Sequence, residues 1–163
     1  MSGRTYNAIS GKRPHLKQSS SSSGVPQRLF DTNVLLWYLA GDKRLTQEAR
    51  ESIEAQSGRK YISIVSAWEV AIKISLGKLR FDGGAALFWS TFIEGGFEGL
   101  SVSIESVELV ESLQYHHKDP FDRLLMATAL AHNLELIATD EAFPQYSSYM
   151  QSRREESRTQ DVH

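Results

Sequence analysis

Short apolar runs alternate with longer stretches of helical periodicity along most of the chain. The short runs are rich in large apolar residues and are typical of strands, at residues 28–30, 61–65, 100–104 and 134–138. The helical stretches between and after them lie at residues 34–40, 46–55, 66–75, 85–94, 107–113 and 121–132. Strands that alternate with helices predict an α/β fold of three layers, with a mostly parallel central sheet covered by helices on both faces.

The two ends of the chain differ from the part between them. Residues 1–27 are polar, contain a run of five serines and show no apolar periodicity, so we expect a flexible tail there. Residues 151–163 are also polar and are expected to form a second tail. One domain is therefore predicted at residues 28–150, a length that is sufficient to bury a hydrophobic core.

Composition and charge narrow the classes of function. The chain has no cysteine, which excludes disulfide and cysteine–zinc scaffolds. No apolar run approaches the roughly 20 residues of a membrane helix, and the first residues lack the apolar core of a secretory signal, so we expect a soluble, cytoplasmic protein. Residues 31–150 carry ten basic and seventeen acidic side chains. Since such a body does not bind nucleic acid by overall charge, a nucleic-acid function would need a local site with metal ions.

Four acidic residues are predicted to meet at one edge of the sheet. Asp31 ends the first predicted strand and Asp140 follows the last one, while Glu69 and Asp122 lie in the first turns of predicted helices. The carboxyl ends of strands are where sites form in open α/β sheets. Repulsion would raise the pKa values of such a cluster unless a cation neutralised it, and Mg²⁺ and Mn²⁺ favour carboxylate oxygens.

Each of these acids also has a purely structural interpretation. Ser66 and Glu69 match a capping box, in which Glu69 would only stabilise the start of its own helix. Asp119 followed by Pro120 is typical of an N-cap with proline at the first helical position, which puts Asp122 at the third. Asp31 and Asp140 could be turn residues. Considered singly, capping and turn roles are as well supported as a metal site, and only the joint pattern favours the metal site.

Four segments, in this order, resemble the motifs of PIN-domain ribonucleases of the VapC toxin type: LFDTNVLLW at 29–37, SAWEVAIK at 66–73, HKDPFDRLLMA at 117–127 and LIATDEAF at 136–143. The resemblance covers about residues 28–146. It implies a PIN-like fold, Mg²⁺ or Mn²⁺ as the cofactor, hydrolysis of RNA phosphodiester bonds, and inhibition by a cognate antitoxin. The metal-site and catalytic acids that it implies are Asp31, Glu69, Asp122 and Asp140.

Several other polar residues are candidates for lesser roles. The candidates for support of the acids are Asn33, Asp119, Thr139 and Lys73. Lys73 and Arg123 are also weaker candidates for RNA contact. Lys73 follows Glu69 by four residues, so a plain ion pair along the helix is an equal alternative. For Arg123, a solvated or capping role is the alternative.

Three functions stay open on the residues alone. The first is metal-dependent hydrolysis of RNA, in which metal ions activate water and stabilise the transition state. The second is a phosphoryl-transfer or receiver-like domain with Asp31 as its nucleophile. A haloacid-dehalogenase type would need an acid two residues later, where Asn33 stands. The third is a partner-binding module with a degenerate acidic site.

Two apolar segments are candidates for a protein interface. Residues 85–93 are unusually apolar, and the helix at residues 34–39 carries Trp37 and Tyr38. An antitoxin helix could bind in a groove at these segments while an Arg or Lys from it reaches the acidic edge. Packing in the core is the equal alternative for both segments. A homodimer also stays open.

Overall fold

Strands and helices alternate through the part of the chain that the computed structural model describes, which is residues 24–113 and 119–139 with position 159. The strands there are β1 (Gln27–Phe30), β2 (Arg59–Ser63), β3 (Glu98–Leu100) and β4 (Glu135–Ile137). The helices are α1 (Thr32–Ala40), α2 (Gln47–Glu54), α3 (Ile64–Ser75), α4 (Gly84–Glu94), α5 (Ile104–Ser112) and α6 (Pro120–Ala131).

The four strands form one parallel sheet in the order β3-β2-β1-β4. β1 pairs with β2 through Leu29 and Tyr61, and with β4 through Leu29 and Leu136. The predicted parallel sheet is therefore confirmed. Because all strands run in one direction, their carboxyl ends share an edge, and β1 brings Asp31 to the middle of that edge.

Helices cover both faces of the sheet, as predicted. Leu29 and Phe30 are adjacent in β1, so their side chains point to opposite faces, and both are fully buried. The core on the Phe30 side includes Val34, Leu35, Ile62, Val70, Phe88, Phe92 and Phe97. The core on the Leu29 side includes Val65, Leu113, Leu125, Met126, Leu134 and Leu136. The sheet is thus the middle of three layers.

The start of α3 differs from the prediction. β2 ends at Ser63 and α3 begins at Ile64, with the Ser63 hydroxyl accepting a hydrogen bond from the Val65 N–H at 3.1 Å. Ser66 therefore lies inside the helix, and the expected capping box with Glu69 is wrong. Glu69 lies in the second turn of α3. The β-branched run of Ile64 and Val65 suits a strand and a buried helix turn equally, so periodicity could not separate the two.

The start of α5 shows the same displacement, while α2 begins as expected. The strand predicted at 100–104 ends at Leu100, because the Ser103 hydroxyl accepts from the Ser106 N–H and starts α5 at the next residue. The Thr46 hydroxyl accepts from the Ala49 N–H, which confirms Thr46 as the N-cap of α2. No helix among residues 24–113 and 119–139 has the length and apolar character needed to cross a bilayer.

Candidate functional site

Asp31 is an acidic residue that is buried in the folded chain. It follows β1 directly, and its backbone N–H donates to the Ile137 carbonyl of β4 at 2.9 Å. The residue is only 1% exposed. Among the described residues, its Oδ2 atom is buried and has no hydrogen-bond partner. Burial of a carboxylate oxygen without a hydrogen-bond donor is costly for the ionised form of the group.

Neighbouring acids make the Asp31 carboxylate still harder to ionise. Burial raises the pKa of Asp31 from its ordinary 3.8 to about 7, and the negative charges of Asp122 and Glu69 contribute to this rise. The Thr32 backbone N–H and the Lys73 ammonium lower the same pKa, with smaller effects. These influences show that the carboxyl end of β1 lies near both α3 and the start of α6. A cation at this point would favour the ionised carboxylate.

Glu69 is the second buried acid of this region. It is 3% exposed. Its Oε2 atom accepts from the Lys73 Nζ atom at 2.9 Å. Burial raises the pKa of Glu69, which Lys73 lowers and the charge of Asp119 raises. The predicted ion pair between Glu69 and Lys73 is therefore present. The Lys73 side chain is about one-third exposed, so its ammonium lies between the buried carboxylate and solvent.

The start of α6 brings two more acids toward this edge. The Asp119 side chain accepts from the Phe121 N–H at 2.9 Å and from the Asp122 N–H at 3.4 Å, with Pro120 at the first helical position. The predicted N-cap is therefore confirmed. Since Asp119 raises the pKa of Glu69 and Asp122 raises that of Asp31, both residues add negative charge to the same region.

A buried hydroxyl pair that sequence reasoning missed joins two of these elements. The Thr32 Oγ1 atom donates to the Ser66 Oγ atom at 2.8 Å, which links α1 to α3. A signal for it was available, because these hydroxyl residues lie one position after Asp31 and three positions before Glu69. Neither position could be paired with the other before the fold was known.

The remaining candidates divide into three groups. Asn33, in the first turn of α1, and Thr139, two positions after β4, are both half-buried. The Arg123 Nη2 atom donates to the Val110 and Leu113 carbonyls at 3.0 and 3.4 Å, so it binds the C-terminal end of α5. Asp140 lies outside the described residues.

The chemistry of the site suits a hard divalent cation, although the residues that the structure describes do not form a complete set of ligands. Within residues 24–113 and 119–139, no three acidic, histidine or cysteine side chains are grouped so that they could hold a metal ion. Mg²⁺, however, is commonly bound by one or two carboxylates, with waters and substrate phosphates as its other ligands. The unpaired Oδ2 atom of Asp31, beside the charges of Glu69 and Asp122, fits that requirement.

Comparisons with known proteins bear on the family and the fold of the chain. The model of the PIN domain family matches residues 28–148. No curated protein sequence gives a significant match. The chain is similar to a toxin–antitoxin complex from Klebsiella pneumoniae, with 26% identity, 71% of this chain and 89% of that chain covered, and a TM-score of 0.49.

A second solved structure has a similar fold. It is VapBC2 from Rickettsia felis, bound to a DNA fragment from the promoter of the pair. The sequence identity is 15%, and the match covers 74% of this chain and 92% of that chain, with a TM-score of 0.55. At this identity the likeness is one of fold.

Proposed function

Because the chain belongs to the PIN domain family, we propose that it is a divalent-metal-dependent endoribonuclease and the toxin of a toxin–antitoxin pair. PIN domains are nucleases. The observation that carries the metal-dependent part is the Asp31 carboxylate, which is buried with an unpaired Oδ2 atom among other negative charges. Such a group is unfavourable in an apo protein that has only a structural role, and it is suited to bind a cation.

The acids that would hold Mg²⁺ or Mn²⁺ in this proposal are Asp31, Glu69, Asp122 and Asp140. When bound, the ion would supply positive charge that activates water and stabilises the transition state at phosphorus. The described residues have two further tasks. Asp119 holds the start of α6 and so places Asp122, and Lys73 brings a positive charge to the solvent side of Glu69. A positive charge there would attract the phosphate of an RNA strand toward an otherwise acidic edge.

RNA cleavage by the purified protein tests the proposal. We expect cleavage with Mg²⁺ or Mn²⁺ and none with EDTA. Asp31→Asn and Asp122→Asn should each lower the rate by at least about 100-fold, since even partners of metal ligands are commonly worth 10–100-fold. Asp82→Asn, an exposed acid of the loop before α4, is the matched control and should cleave at the wild-type rate. An Asp31→Asn protein that is fully active would contradict the assignment.

Two further measurements, thermal unfolding with and without metal and transfer of phosphate from a donor, separate the two other functions. A partner-binding module would show neither cleavage nor a metal-dependent change in melting temperature. A phosphoryl-transfer domain would take up phosphate on Asp31 from a phosphate donor and would leave RNA intact.

The toxin role requires an antitoxin, and the surface near α4 is only partly available for it. Phe88 and Phe92, two rings of the apolar segment 85–93, are buried in the core. Leu87 and Ile93 remain exposed on this helix. We therefore expect an antitoxin to contact the outward side of α4 and to direct an Arg or Lys to the acidic edge. Growth arrest on expression, relieved by the product of a short neighbouring reading frame and absent for Asp31→Asn, would support the toxin role.

The homodimer that the sequence left open has a candidate contact on α3. Four exposed apolar side chains recur every four positions along α3 and its C-cap residue: Ile64, Trp68, Ile72 and Leu76. Trp68 is 57% exposed, which is unusual for so large an apolar side chain. A ridge at this spacing can pack into the groove beside the same ridge of a second copy, which would form a two-fold symmetric contact. Light scattering of the wild type and of Trp68→Glu would show whether the ridge forms a dimer.

A further inference from the structure

The hydroxyl pair of Thr32 and Ser66 has features that core packing alone does not require. Both residues are fully buried, and their side chains are joined at 2.8 Å across 34 positions of sequence. A buried hydroxyl is costly unless it is bonded, and an apolar side chain of the same size would avoid that cost. What the hydroxyl pair adds is a directional link between α1 and α3 at one fixed separation.

The link joins the residue after Asp31 to the turn of α3 that precedes Glu69. Thr32 follows Asp31 directly, and its backbone N–H favours the charged form of that carboxylate. Ser66 precedes Glu69 by three residues, so both lie on the same side of α3, one turn apart. The negative charges of Asp31 and Glu69 repel each other across this junction. A short bond beside them opposes the separation that repulsion would otherwise cause.

We propose that Thr32 and Ser66 are positioning residues, which hold the carboxylates of Asp31 and Glu69 at the separation that one bound cation requires. This inference rests on the proposed metal-dependent function. Sites of this kind depend on placement of the ligands to within about 0.5 Å. The bond acts through the backbone at Asp31 and through one turn of α3 at Glu69, and neither hydroxyl needs to touch the ion.

The protein contains a matched control for the loss of a buried hydroxyl. Thr128 is also fully buried, and its Oγ1 atom donates to the Leu124 carbonyl within α6 at 2.7 Å. Thr128→Val therefore removes a bonded threonine hydroxyl from the core without cutting a link between the acids. Thr32→Ser keeps the hydroxyl and serves as the conservative variant. Ser66→Ala cuts the same link from the other side and replaces Thr32→Val if that variant does not fold.

The first measurement is the affinity of the full chain for Mn²⁺, which is determined by calorimetry and from the rise in melting temperature that Mn²⁺ causes. Thr32→Val should weaken Mn²⁺ binding by about 10-fold or more, the range for groups that orient metal ligands. Thr32→Ser and Thr128→Val should bind Mn²⁺ as the wild type does. In the cleavage assay, Thr32→Val should lower kcat and leave the KM for RNA nearly unchanged. Equal Mn²⁺ affinity in Thr32→Val and Thr128→Val would overturn the inference.

A second measurement needs no metal and separates this inference from the proposed function. A double-mutant cycle of wild type, Asp31→Asn, Glu69→Gln and the double variant, unfolded in EDTA at pH 8.5, where the Asp31 carboxyl is above its pKa of about 7, gives the repulsive coupling between the two acids. We expect this coupling to shrink in the Thr32→Val background and to persist in the Thr128→Val background. A wild-type protein that does not bind Mn²⁺ would refute the metal site. The coupling between Asp31 and Glu69 would then still test whether Thr32 and Ser66 position the two acids. An unchanged coupling in the Thr32→Val background would refute the positioning role.

Discussion

The pKa of Asp31 predicts an unusual dependence of stability on pH in the metal-free protein. Its carboxyl has a pKa of about 7 in the folded chain, against 3.8 for an ordinary aspartate. Between these values the folded state binds a proton that the unfolded state has released. The free energy of unfolding should therefore fall as pH rises from about 4 to about 7, the reverse of the usual behaviour of a paired aspartate.

The expected size of the effect follows from the shift. Each unit of pKa difference corresponds to about 1.4 kcal/mol, so the full difference amounts to about 4 kcal/mol by pH 8. That is a large fraction of the roughly 5–15 kcal/mol by which domains are stable. Asp31→Asn has no charge at this position at any pH and should escape the loss. The variant should therefore become more stable relative to the wild type as pH rises.

Urea unfolding in EDTA at several values from pH 4.5 to pH 8.5 measures this difference. Groups that do not interact with Asp31 affect both proteins alike, so the difference between wild type and Asp31→Asn reports the Asp31 carboxyl together with its interactions with Glu69 and Asp122. Mn²⁺ added at pH 8 should restore stability to the wild type, by about 2.7 kcal/mol at 100 times its dissociation constant, and much less to the variant. Parallel profiles for the two proteins across the whole interval would refute the reasoning.

Three further predictions concern the surroundings of the site and the tail. Deleting residues 1–23 should leave the melting temperature and the cleavage rate unchanged, whereas deleting 1–26 also removes a carbonyl that accepts from β2 and should cost about 1 kcal/mol by urea unfolding. Asp119→Ala should lose the N-cap of α6, about 1 kcal/mol in the same experiment, and should also slow cleavage. Lys73→Met should leave Glu69 buried without its cation, which lowers the melting temperature in EDTA and enlarges the rise caused by Mn²⁺.

Local sequence patterns were sufficient to predict most helices and strands and the N-cap at Asp119 beside the site. The caps of α2 and α6 were predictable because a hydroxyl or carboxylate bonds an N–H two or three residues away, as Thr46 and Asp119 do. The predicted starts of α3 and α5 were wrong because serine can cap a helix from several nearby positions. Ser63 caps α3 and Ser103 caps α5, and the apolar residues beside them give no periodicity that would distinguish one possible capping position from another.

The order of the elements, the parallel sheet and the place of Asp31 at its carboxyl edge were determined by the sequence itself, since they follow from local periodicity and from the rules of βαβ connection. Only the tertiary structure decided how the individual side chains are used. The Arg123 guanidinium binds the end of α5, and the Thr32 hydroxyl bonds Ser66, because folding brings together groups 10 to 34 positions apart. The raised pKa of Asp31 has the same origin, because burial and the charges of two other helices act on it only in the folded chain.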